Sequence, residues 1–491
     1  MLKTWDIFDT LITRRCVAPQ IIFHLVEEVS KVKGFTQKQI EAERNVSRRG
    51  NYNLDDIYEE LQKLTNAPEN FCDTLKNIEC DAEFSQCIPI TENIQQVKSG
   101  DILISDMYLP ETIIRRLLNK AGLVVPVEIL ITSGGKSSGQ VWKQFAEQEE
   151  FLFHVGDNNK SDVENPRLVG FESALSVLSN STDIEQDILN KDFNFGAYLR
   201  EIRLRNPFSD EMRRIYWQLF TLNIGILILL VQQIDALQKK CGFEYLGFCG
   251  RDTHYLRLLY EKYKFKRGET PTPNDYLYYS RKLVRNSGDD LAKYFSAKIN
   301  NRKALMIDLF GSGVHLNNLR KNFNVPFSIL MCFISGKDLG KKIYPNMLQI
   351  EGWTSAFDKA SDMPTDNANI FLLDTAGKIN EIWHVECLNR ATHNSPIRLK
   401  ALSIGEKIIP KVTFSETNDT ENFDVFESCL HEVLSSKLVL PSHIAKNSTQ
   451  LENLLLPLLK GLTSSSVSLP LRNQHQLNEK VDNQMLKLLQ K

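Results

Sequence analysis

The chain has 491 residues, which is too long for one ordinary hydrophobic core, so we expect about two to four domains. A hydrophobic fraction of 42% and a charged fraction of 24% exclude a mainly disordered chain. The formal net charge of -2 gives no overall attraction to nucleic acid or to anionic membranes, so we predict no nucleic-acid partner, with a local basic patch left open.

Three features of the chain concern its compartment. The first residues carry no signal-peptide pattern, because Asp6 interrupts any apolar run at once. The longest apolar stretch, 222–231, is shorter than the about 20 residues that a membrane span needs, and it predicts a buried helix. The nine cysteines form no Cys-x-x-Cys pair, and their odd number favours reduced thiols. These patterns predict a cytoplasmic protein with no membrane span.

Four buried-strand patterns in the first third of the chain each run into polar residues. In chain order, the segments that follow or end these strands are Asp6-Ile7-Phe8-Asp9-Thr10, Ser105-Asp106-Met107-Tyr108-Leu109, Thr132-Ser133-Gly134-Gly135-Lys136 and Gly156-Asp157-Asn158-Asn159-Lys160-Ser161-Asp162. A single turn of this kind is more often an Asx cap than an active site. Parallel strands, however, bring their carboxyl ends to one edge of a sheet, so the order of the four turns predicts a shared site.

This ordered set of motifs resembles the haloacid dehalogenase (HAD) superfamily of phosphatases and phosphotransferases. The motif sequences Phe-Asp-Thr-Leu, Ser-Asp-Met-Tyr-Leu and Gly-Asp-Asn are similar to those of a bacterial branch of predicted HAD hydrolases. This branch is often associated with surface-polysaccharide pathways. The resemblance covers roughly the first third of the chain. It implies an α/β fold with a HAD-like Rossmannoid parallel sheet and a helical cap inserted after the first strand, at about 17–87.

The resemblance also implies the nucleophile and the metal site. Asp6 would attack phosphorus and form an aspartyl-phosphate. Mg²⁺ would be held by Asp6, by the main-chain carbonyl of Phe8 and by Asp157, with Asp162 as a second contributor. An all-oxygen set of this kind suits Mg²⁺, which accepts few protein ligands and keeps waters.

Further residues of the same motifs would contact the phosphorylated substrate. By the resemblance, Ser105 donates a hydrogen bond to a phosphoryl oxygen and Lys136 supplies positive charge to the transition state. Lys143 is an alternative lysine, but it lies inside the following helix and ranks lower. Thr10 and Asp106 are predicted to take part in substrate binding.

One position departs from the family pattern. The phosphatases of this superfamily carry a second aspartate two residues after the nucleophile, as general acid and base, and this chain has Phe8 there. Three interpretations of the missing aspartate stay open. Asp9 or a cap residue supplies the proton, the leaving group needs no acid, or the site binds phosphate and turns over slowly. Loss of the acid without replacement would lower the rate by about 10²–10⁴-fold.

Beyond the first domain, at 1–180, the patterns predict three further segments. Residues 181–206 predict a linker helix, and strands alternating with helices over 207–395 predict a second α/β domain with a parallel sheet. The strand patterns lie at 245–249, 276–281, 304–308 and 328–333. From 396 to 491 the pattern predicts a helical C-terminal extension, with a polar tail at 464–476 that is a candidate for mobility.

Two turns of the second domain are candidates for ligand binding. Arg251 follows a strand and, with Arg281, would form an anion clamp if both strand ends face one crevice. Asp308 begins a glycine-rich turn that contains Gly311 and Gly313, whose free amides could cradle a phosphate. Tight turns in a second α/β core are the structural alternative.

The primary hypothesis is therefore an enzyme, a Mg²⁺-dependent HAD-like hydrolase or phosphotransferase acting on a phosphorylated small molecule such as a sugar or nucleotide-sugar intermediate. The rival hypothesis is a degenerate HAD core that binds a phosphorylated ligand or a partner, with any transferase chemistry in the second α/β domain. No pattern in the sequence indicates an oligomeric state.

Overall fold

The structure, a computed structural model, describes most of the chain up to residue 334. The described ranges are 2–148, 152–206, 221–249, 253–277, 288–311, 313–334, 347–348, 453–455 and 457–458. These residues divide into two compact units: the first holds 2–186 and 197–206, and the second holds 187–196 and the described residues from 221 onward. Each unit contains a five-stranded sheet with helices, so the predicted α/β class is confirmed.

The first unit is built around a parallel sheet with β1 at its centre. In chain order the strands of this unit are β1 (Leu2–Asp6), β2 (Ile12–Arg14), β3 (Cys87–Pro89), β4 (Ile102–Asp106), β5 (Glu128–Thr132), β6 (Leu152–Gly156) and β7 (Glu172–Leu175). The sheet order is β5-β4-β1-β6-β7, and all neighbouring strands in it are parallel. The four strand ends that the sequence predicts therefore lie side by side at the carboxyl edge of the sheet.

The core of this unit explains why the strands are short apolar runs. Trp5 is fully buried, and its indole N–H donates to Asp101 at 2.9 Å, which satisfies the one polar atom of the ring. Every residue of β6 is buried, as expected for a parallel strand that is covered on both faces. Helices α5 (Thr91–Ile94), α6 (Glu111–Lys120), α7 (Gln140–Ala146) and α8 (Asn165–Leu168) connect the strands.

Four helices are inserted between β2 and β3. They are α1 (Ile21–Ser30), α2 (Phe35–Ser47), α3 (Leu54–Thr65) and α4 (Glu69–Gln86). Helix α3 is capped at Asn53, because the Asn53 side chain accepts from the backbone N–H of Asp55 and the Asp56 carboxylate accepts from Asn53 N. This reciprocal capping box satisfies two N–H groups that a helix start otherwise leaves unpaired.

A two-stranded ribbon joins the helical insertion to the sheet. β2 and β3 pair antiparallel, with Ile12 opposite Pro89 and Arg14 opposite Cys87. Arg200 supports β2 from another part of the chain, because its guanidinium donates to the Thr13 hydroxyl and to the Arg14 carbonyl, both at 3.1 Å. The helical insertion therefore begins and ends at adjacent positions beside the sheet.

The segment 181–206 contains two helices where the sequence predicts one linker helix. These are α9 (Asp183–Lys191) and α10 (Phe193–Leu204). The interruption has a local cause, since the Asp192 carboxylate accepts from Phe195 N at 2.9 Å, which is the bond of an N-cap residue. Residues 197–206 belong to the first unit, which therefore extends past the predicted boundary at 180.

The second unit repeats the architecture without repeating the motifs. Its strands are β8 (Tyr245–Cys249), β9 (Asn274–Leu277), β10 (Ala304–Gly311), β11 (Ser328–Ile334) and β12 (Met347–Leu348), in the order β12-β11-β10-β8-β9. All four strand pairs are parallel, as predicted. The helices are α11 (Asn223–Cys241), α12 (His254–Lys266), α13 (Gly288–Ile299) and α14 (Val314–Asn322).

The apolar stretch 222–231 enters α11, and Ile226 to Val231 are all buried, which confirms the predicted buried helix. Among the helices that the structure describes, none combines the length and apolarity needed to cross a bilayer. The predicted C-terminal extension at 396–491 lies outside the described residues, apart from 453–455 and 457–458, which are helical.

Candidate functional site

A cavity of about 810 Å³ lies at the carboxyl edge of the first sheet. Its floor comes from the turns after β1, β4, β5 and β6, and its other walls come from the helical insertion. The predicted site residues that line the cavity are Asp6, Phe8, Ser105, Asp106, Lys136, Asp157 and Asp162. Seven residues from four distant segments thus meet in one cleft.

Lys136 lies between two carboxylates at the floor of this cavity. Its ammonium group is bonded to Asp6, lies 2.7 Å from Asp162 Oδ1 and also contacts the Ile104 carbonyl at 3.4 Å. Burial alone would lower the pKa of Lys136, but the charges of the two aspartates outweigh it and raise the pKa above its usual value. Lys136 is therefore a permanent cation at this site. The alternative Lys143 is exposed on α7 and does not line the cavity.

The two carboxylates that share Lys136 have different electrostatic environments. Burial raises the pKa of Asp6 to about 6, against the lowering effect of Lys136. Burial acts in the same direction on Asp162, but hydrogen bonding to His154 and the charge of Lys136 outweigh it and lower the pKa of Asp162. Asp162 is therefore the more strongly ionised of the two, whereas Asp6 remains mostly ionised at neutral pH.

His154 was not predicted as a site residue, yet it holds Asp162. It is fully buried on β6, where Nε2 lies 3.3 Å from Asp162 Oδ1 and Nδ1 lies 2.8 Å from the Thr4 hydroxyl. Burial lowers the pKa of His154 to about 4, so the imidazole is neutral at physiological pH. The Trp142 ring packs against it with centroids 4.6 Å apart. A polar residue inside an otherwise apolar strand was the sequence signal.

The backbone also contributes to the position of Asp162. Its second oxygen accepts from Asn158 N at 2.9 Å, and Asp162 N donates to the Asn158 carbonyl. The side chain folds back over Gly156, where a Cβ atom would overlap it. Glycine at 156 is thus required by close approach, and it ties the end of β6 to Asp162.

The glycine-rich turn after β5 is held by Asp106. Its two carboxylate oxygens accept from Lys136 N at 3.1 Å and from Ser137 N at 3.0 Å, and the Thr132 hydroxyl donates to it as well. Asn165 donates to the Lys136 carbonyl at 2.8 Å from the other side. Asp106 lines the cavity, as expected of a substrate-binding residue, but its oxygens are already used to position Lys136.

Asp157 completes an acidic cluster that could hold a metal ion. One oxygen each of Asp6, Asp157 and Asp162 lies within 4.8 Å of the others. Burial and the nearby carboxylates of Asp6 and Asp9 raise the pKa of Asp157 to about 8. In the described part of the chain, Lys136 is the single cation bonded to this cluster. Excess negative charge on oxygen ligands fits a hard divalent cation such as Mg²⁺.

Three neighbouring residues in the turn after β1 have different environments. Asp9 has a positive φ of 59° and accepts from the Thr13 hydroxyl at 2.5 Å, which closes the turn. Thr10 is fully buried and does not line the cavity, so the structure does not place it against a substrate. The Phe8 ring lies under the Arg14 guanidinium at 4.5 Å. The side chain at position 8 is thus covered by a cation.

The helical insertion supplies a polar and aromatic wall. Arg14 pairs with Glu83 through two hydrogen bonds of 2.8 and 2.7 Å. The backbone of Tyr52 is bonded to the Ser133 hydroxyl, which accepts from Tyr52 N at 3.1 Å and donates to Tyr52 O at 2.7 Å. These two bonds connect the insertion to the turn that carries Lys136.

The predicted residues of the second unit form no described site. Arg251 and Arg281 lie outside the described residues. Asp308 and Gly311 lie on β10, and Gly313 precedes α14 with a φ of 69°. Asp308 lies near the buried thiol of Cys249, whose pKa is raised by burial and further by this carboxylate. The anion clamp and the phosphate cradle remain predictions.

No protein-family model matches the chain, and no curated protein matches it.

Proposed function

We propose that the first unit is a Mg²⁺-dependent phosphohydrolase or phosphotransferase of the HAD type, which acts through an aspartyl-phosphate at Asp6 on a phosphorylated small molecule. The observation that carries the proposal is the shared bonding of Asp6 and Asp162 to buried Lys136 beside Asp157, at the floor of a cavity. A nucleophilic carboxylate, a fixed cation and an oxygen-ligand cluster are the groups that phosphoryl transfer requires.

Each group has a role in this reaction. The Asp6 carboxylate attacks phosphorus, and the Lys136 ammonium stabilises the charge that develops on the phosphoryl oxygens. Ser105, which is buried and lines the cavity, donates its hydroxyl to one of those oxygens. Mg²⁺ at the acidic cluster would supply further positive charge to the phosphoryl group. Asp106 holds the turn that keeps Lys136 in place.

The helical insertion acts as the cap in this proposal. It forms a large part of the cavity wall through residues such as Phe23, Glu43 and Tyr52. Its mixture of aromatic and polar side chains supports a sugar or nucleotide-sugar phosphate as substrate. The cysteines in the described ranges are all free thiols, which supports a reducing compartment such as the cytoplasm.

The first test is phosphate release from a panel of phosphorylated sugars and nucleotides with Mg²⁺, by the wild type and Asp6→Asn. We expect release by the wild type, its loss on chelation of Mg²⁺, and a fall of at least about 10³-fold in Asp6→Asn because the nucleophile is gone. Asp73→Asn, an exposed change in the same unit, is the matched control. Full activity in Asp6→Asn would refute the assignment.

A second candidate function is a phospho-ligand-binding module with slow turnover. Phe8 favours it, because the ring cannot donate a proton and lies under Arg14. Calorimetry with the same panel distinguishes the two functions. Binding without phosphate release would support the module, and activity that depends on Asp308 rather than Asp6 would move the chemistry to the second unit.

A further inference from the structure

The carboxyl group of Glu43 is part of the cavity wall, and the proposed chemistry does not use it. Glu43 lies on α2 and lines the same cavity as Asp6 and Lys136. It is only partly exposed, and its recorded hydrogen bond comes from the neutral Tyr52 hydroxyl at 3.4 Å. Burial raises the pKa of Glu43, and no lysine or arginine in the described residues is bonded to it. Burial without a bonded cation favours the protonated form of a carboxyl group, which is the form that a general acid needs.

The other carboxyl groups of the cavity wall are already occupied. Glu83 is held by both nitrogens of the Arg14 fork, and Asp106 accepts from two backbone N–H groups. Asp9 accepts from Thr13 inside its own turn. The remaining three carboxyls form the acidic cluster at the floor, where metal binding needs the charged form.

Glu43 lies on the part of the cavity wall that the helical insertion forms. Its hydrogen-bond partner Tyr52 is fastened through its backbone to Ser133, at the start of the turn that carries Lys136. The Tyr52 hydroxyl is close enough to Asp106 for that carboxylate to raise the pKa of the phenol. A substrate whose phosphoryl group binds beside Asp6 and Lys136 extends into the same cavity, whose wall includes Glu43.

We propose that Glu43 is the general acid and base of the reaction, and that it replaces the group missing at Phe8. In the first step, Asp6 forms a bond to phosphorus while the bond from phosphorus to the alkyl oxygen breaks, and the leaving oxygen takes the Glu43 proton. In the second step, water attacks the aspartyl-phosphate, its proton returns to Glu43, and phosphate and the Asp6 carboxylate are released. This inference rests on the proposed function of Asp6.

The experiment compares two phosphate esters on the full-length protein. With p-nitrophenyl phosphate the leaving phenolate needs no proton, whereas with glycerol phosphate the leaving alkoxide does. We expect Glu43→Gln to lower kcat/KM for glycerol phosphate by about 10²–10⁴-fold and to leave kcat/KM for p-nitrophenyl phosphate within about threefold. Glu41→Gln, an exposed change on the same helix, should leave both values unchanged.

A pre-steady-state measurement makes the result independent of folding. Because the side-chain amide of the Glu43→Gln variant cannot take a proton from water, the second step slows, and this variant should release a burst of about one p-nitrophenolate per site. The burst amplitude counts the folded sites. Equal losses on the two esters, or none on either, would overturn the role of Glu43. Wild-type turnover that survives Asp6→Asn, or no turnover at all, would instead refute the proposed function and this inference with it.

Discussion

At the level of single residues, one buried carboxyl group of the helical insertion binds three side chains. Glu79 is fully buried on α4, and it accepts from the hydroxyls of Tyr58 and Tyr108 and from the Gln39 amide. Tyr108 lines the cavity, so Glu79 connects the interior of the insertion to the cavity wall. Burial raises the pKa of Glu79 from 4.5 to about 7, because three neutral donors do not replace the hydration of a charge.

This pKa shift predicts how stability depends on pH. The folded state binds the Glu79 proton more tightly than the unfolded state between pH 4.5 and about 7, so this group lowers the free energy of unfolding as the pH rises through that window, with no further loss above it. Glu79→Gln, which resembles the protonated acid, should remove the loss and stabilise the protein by about 1–3 kcal/mol at pH 8.

Urea unfolding of both proteins from pH 4.5 to pH 8 measures this effect, with Glu59→Gln on the exposed face of α3 as control. Parallel stability curves for the wild type and Glu79→Gln would show that Glu79 does not titrate in this range.

The residues of the site were more predictable from sequence than the contacts between them. Each residue of the proposed site ends a strand or follows one, so their proximity follows from the parallel topology. These residues are Asp6, Ser105, Lys136, Asp157 and Asp162. The bond between Thr4 and His154 joins residues 150 positions apart, and no local pattern indicates it. The same holds for Glu43, whose approach to the cavity depends on how the inserted helices pack.

At the level of elements, the contact between Tyr52 and Ser133 holds the insertion against the sheet. The Ser133 hydroxyl satisfies both backbone groups of Tyr52 across 81 positions of sequence, whereas the Ser137 hydroxyl in the same turn bonds only to Gly134 within it. The turn that carries Lys136 and the loop between α2 and α3 are therefore mechanically connected. Loss of the two hydrogen bonds between Ser133 and Tyr52 should make both the turn and the loop more mobile.

We expect Ser133→Ala to release this loop. Removal of two hydrogen bonds should cost about 1–3 kcal/mol of local stability, since each contributes about 0.5–1.5 kcal/mol net. Hydrogen exchange of the peptide that contains Tyr52 should accelerate about tenfold, and KM for a turned-over phosphate ester should rise. Ser137→Ala is the matched control. Equal exchange rates in both variants would show that the Ser133 hydroxyl does not hold this loop.

The sequence predicted the strands correctly where they are apolar and bounded by turns. The predicted strands before Ser105 and before Thr132 are present, as is the one at 304–308, because buried parallel strands have uninterrupted apolar runs. β7 was missed, since Glu172 and Ser173 make half of it polar. The split of 181–206 into two helices depends on the single cap at Asp192, which a period of 3.6 residues does not detect.

At the level of the whole molecule, each unit has its own hydrophobic core. Trp5 and Leu103 belong to the core of the first unit, and Tyr245 and Phe295 to that of the second. Ligand binding at the first sheet should therefore stabilise the first unit in particular, by about 2.7 kcal/mol at a ligand concentration of 100 Kd.

Hydrogen exchange of the full-length protein with Mg²⁺ and orthovanadate, a phosphate analogue, measures this effect for each unit. We expect protection of β1 to increase and that of β8 to stay constant, and we expect Asp157→Asn to abolish the increase by removing an oxygen ligand of the acidic cluster. An equal increase in β1 and β8 would show that the two cores respond as one.

The paired ends of the helical insertion make that segment exchangeable. Because Ile12 lies opposite Pro89, a foreign sequence of any length whose ends meet in an antiparallel pair can be spliced between β2 and β3 while the central sheet keeps its register. Asp6 and Asp157 would keep their positions at the sheet edge, whereas the turn that carries Lys136 would lose its two bonds to Tyr52. The insertion and the sheet share one hydrophobic core, which includes Val26, Ile57 and Leu103, so a library of grafted helical segments that rebuild these contacts is a route to new ligand selectivity.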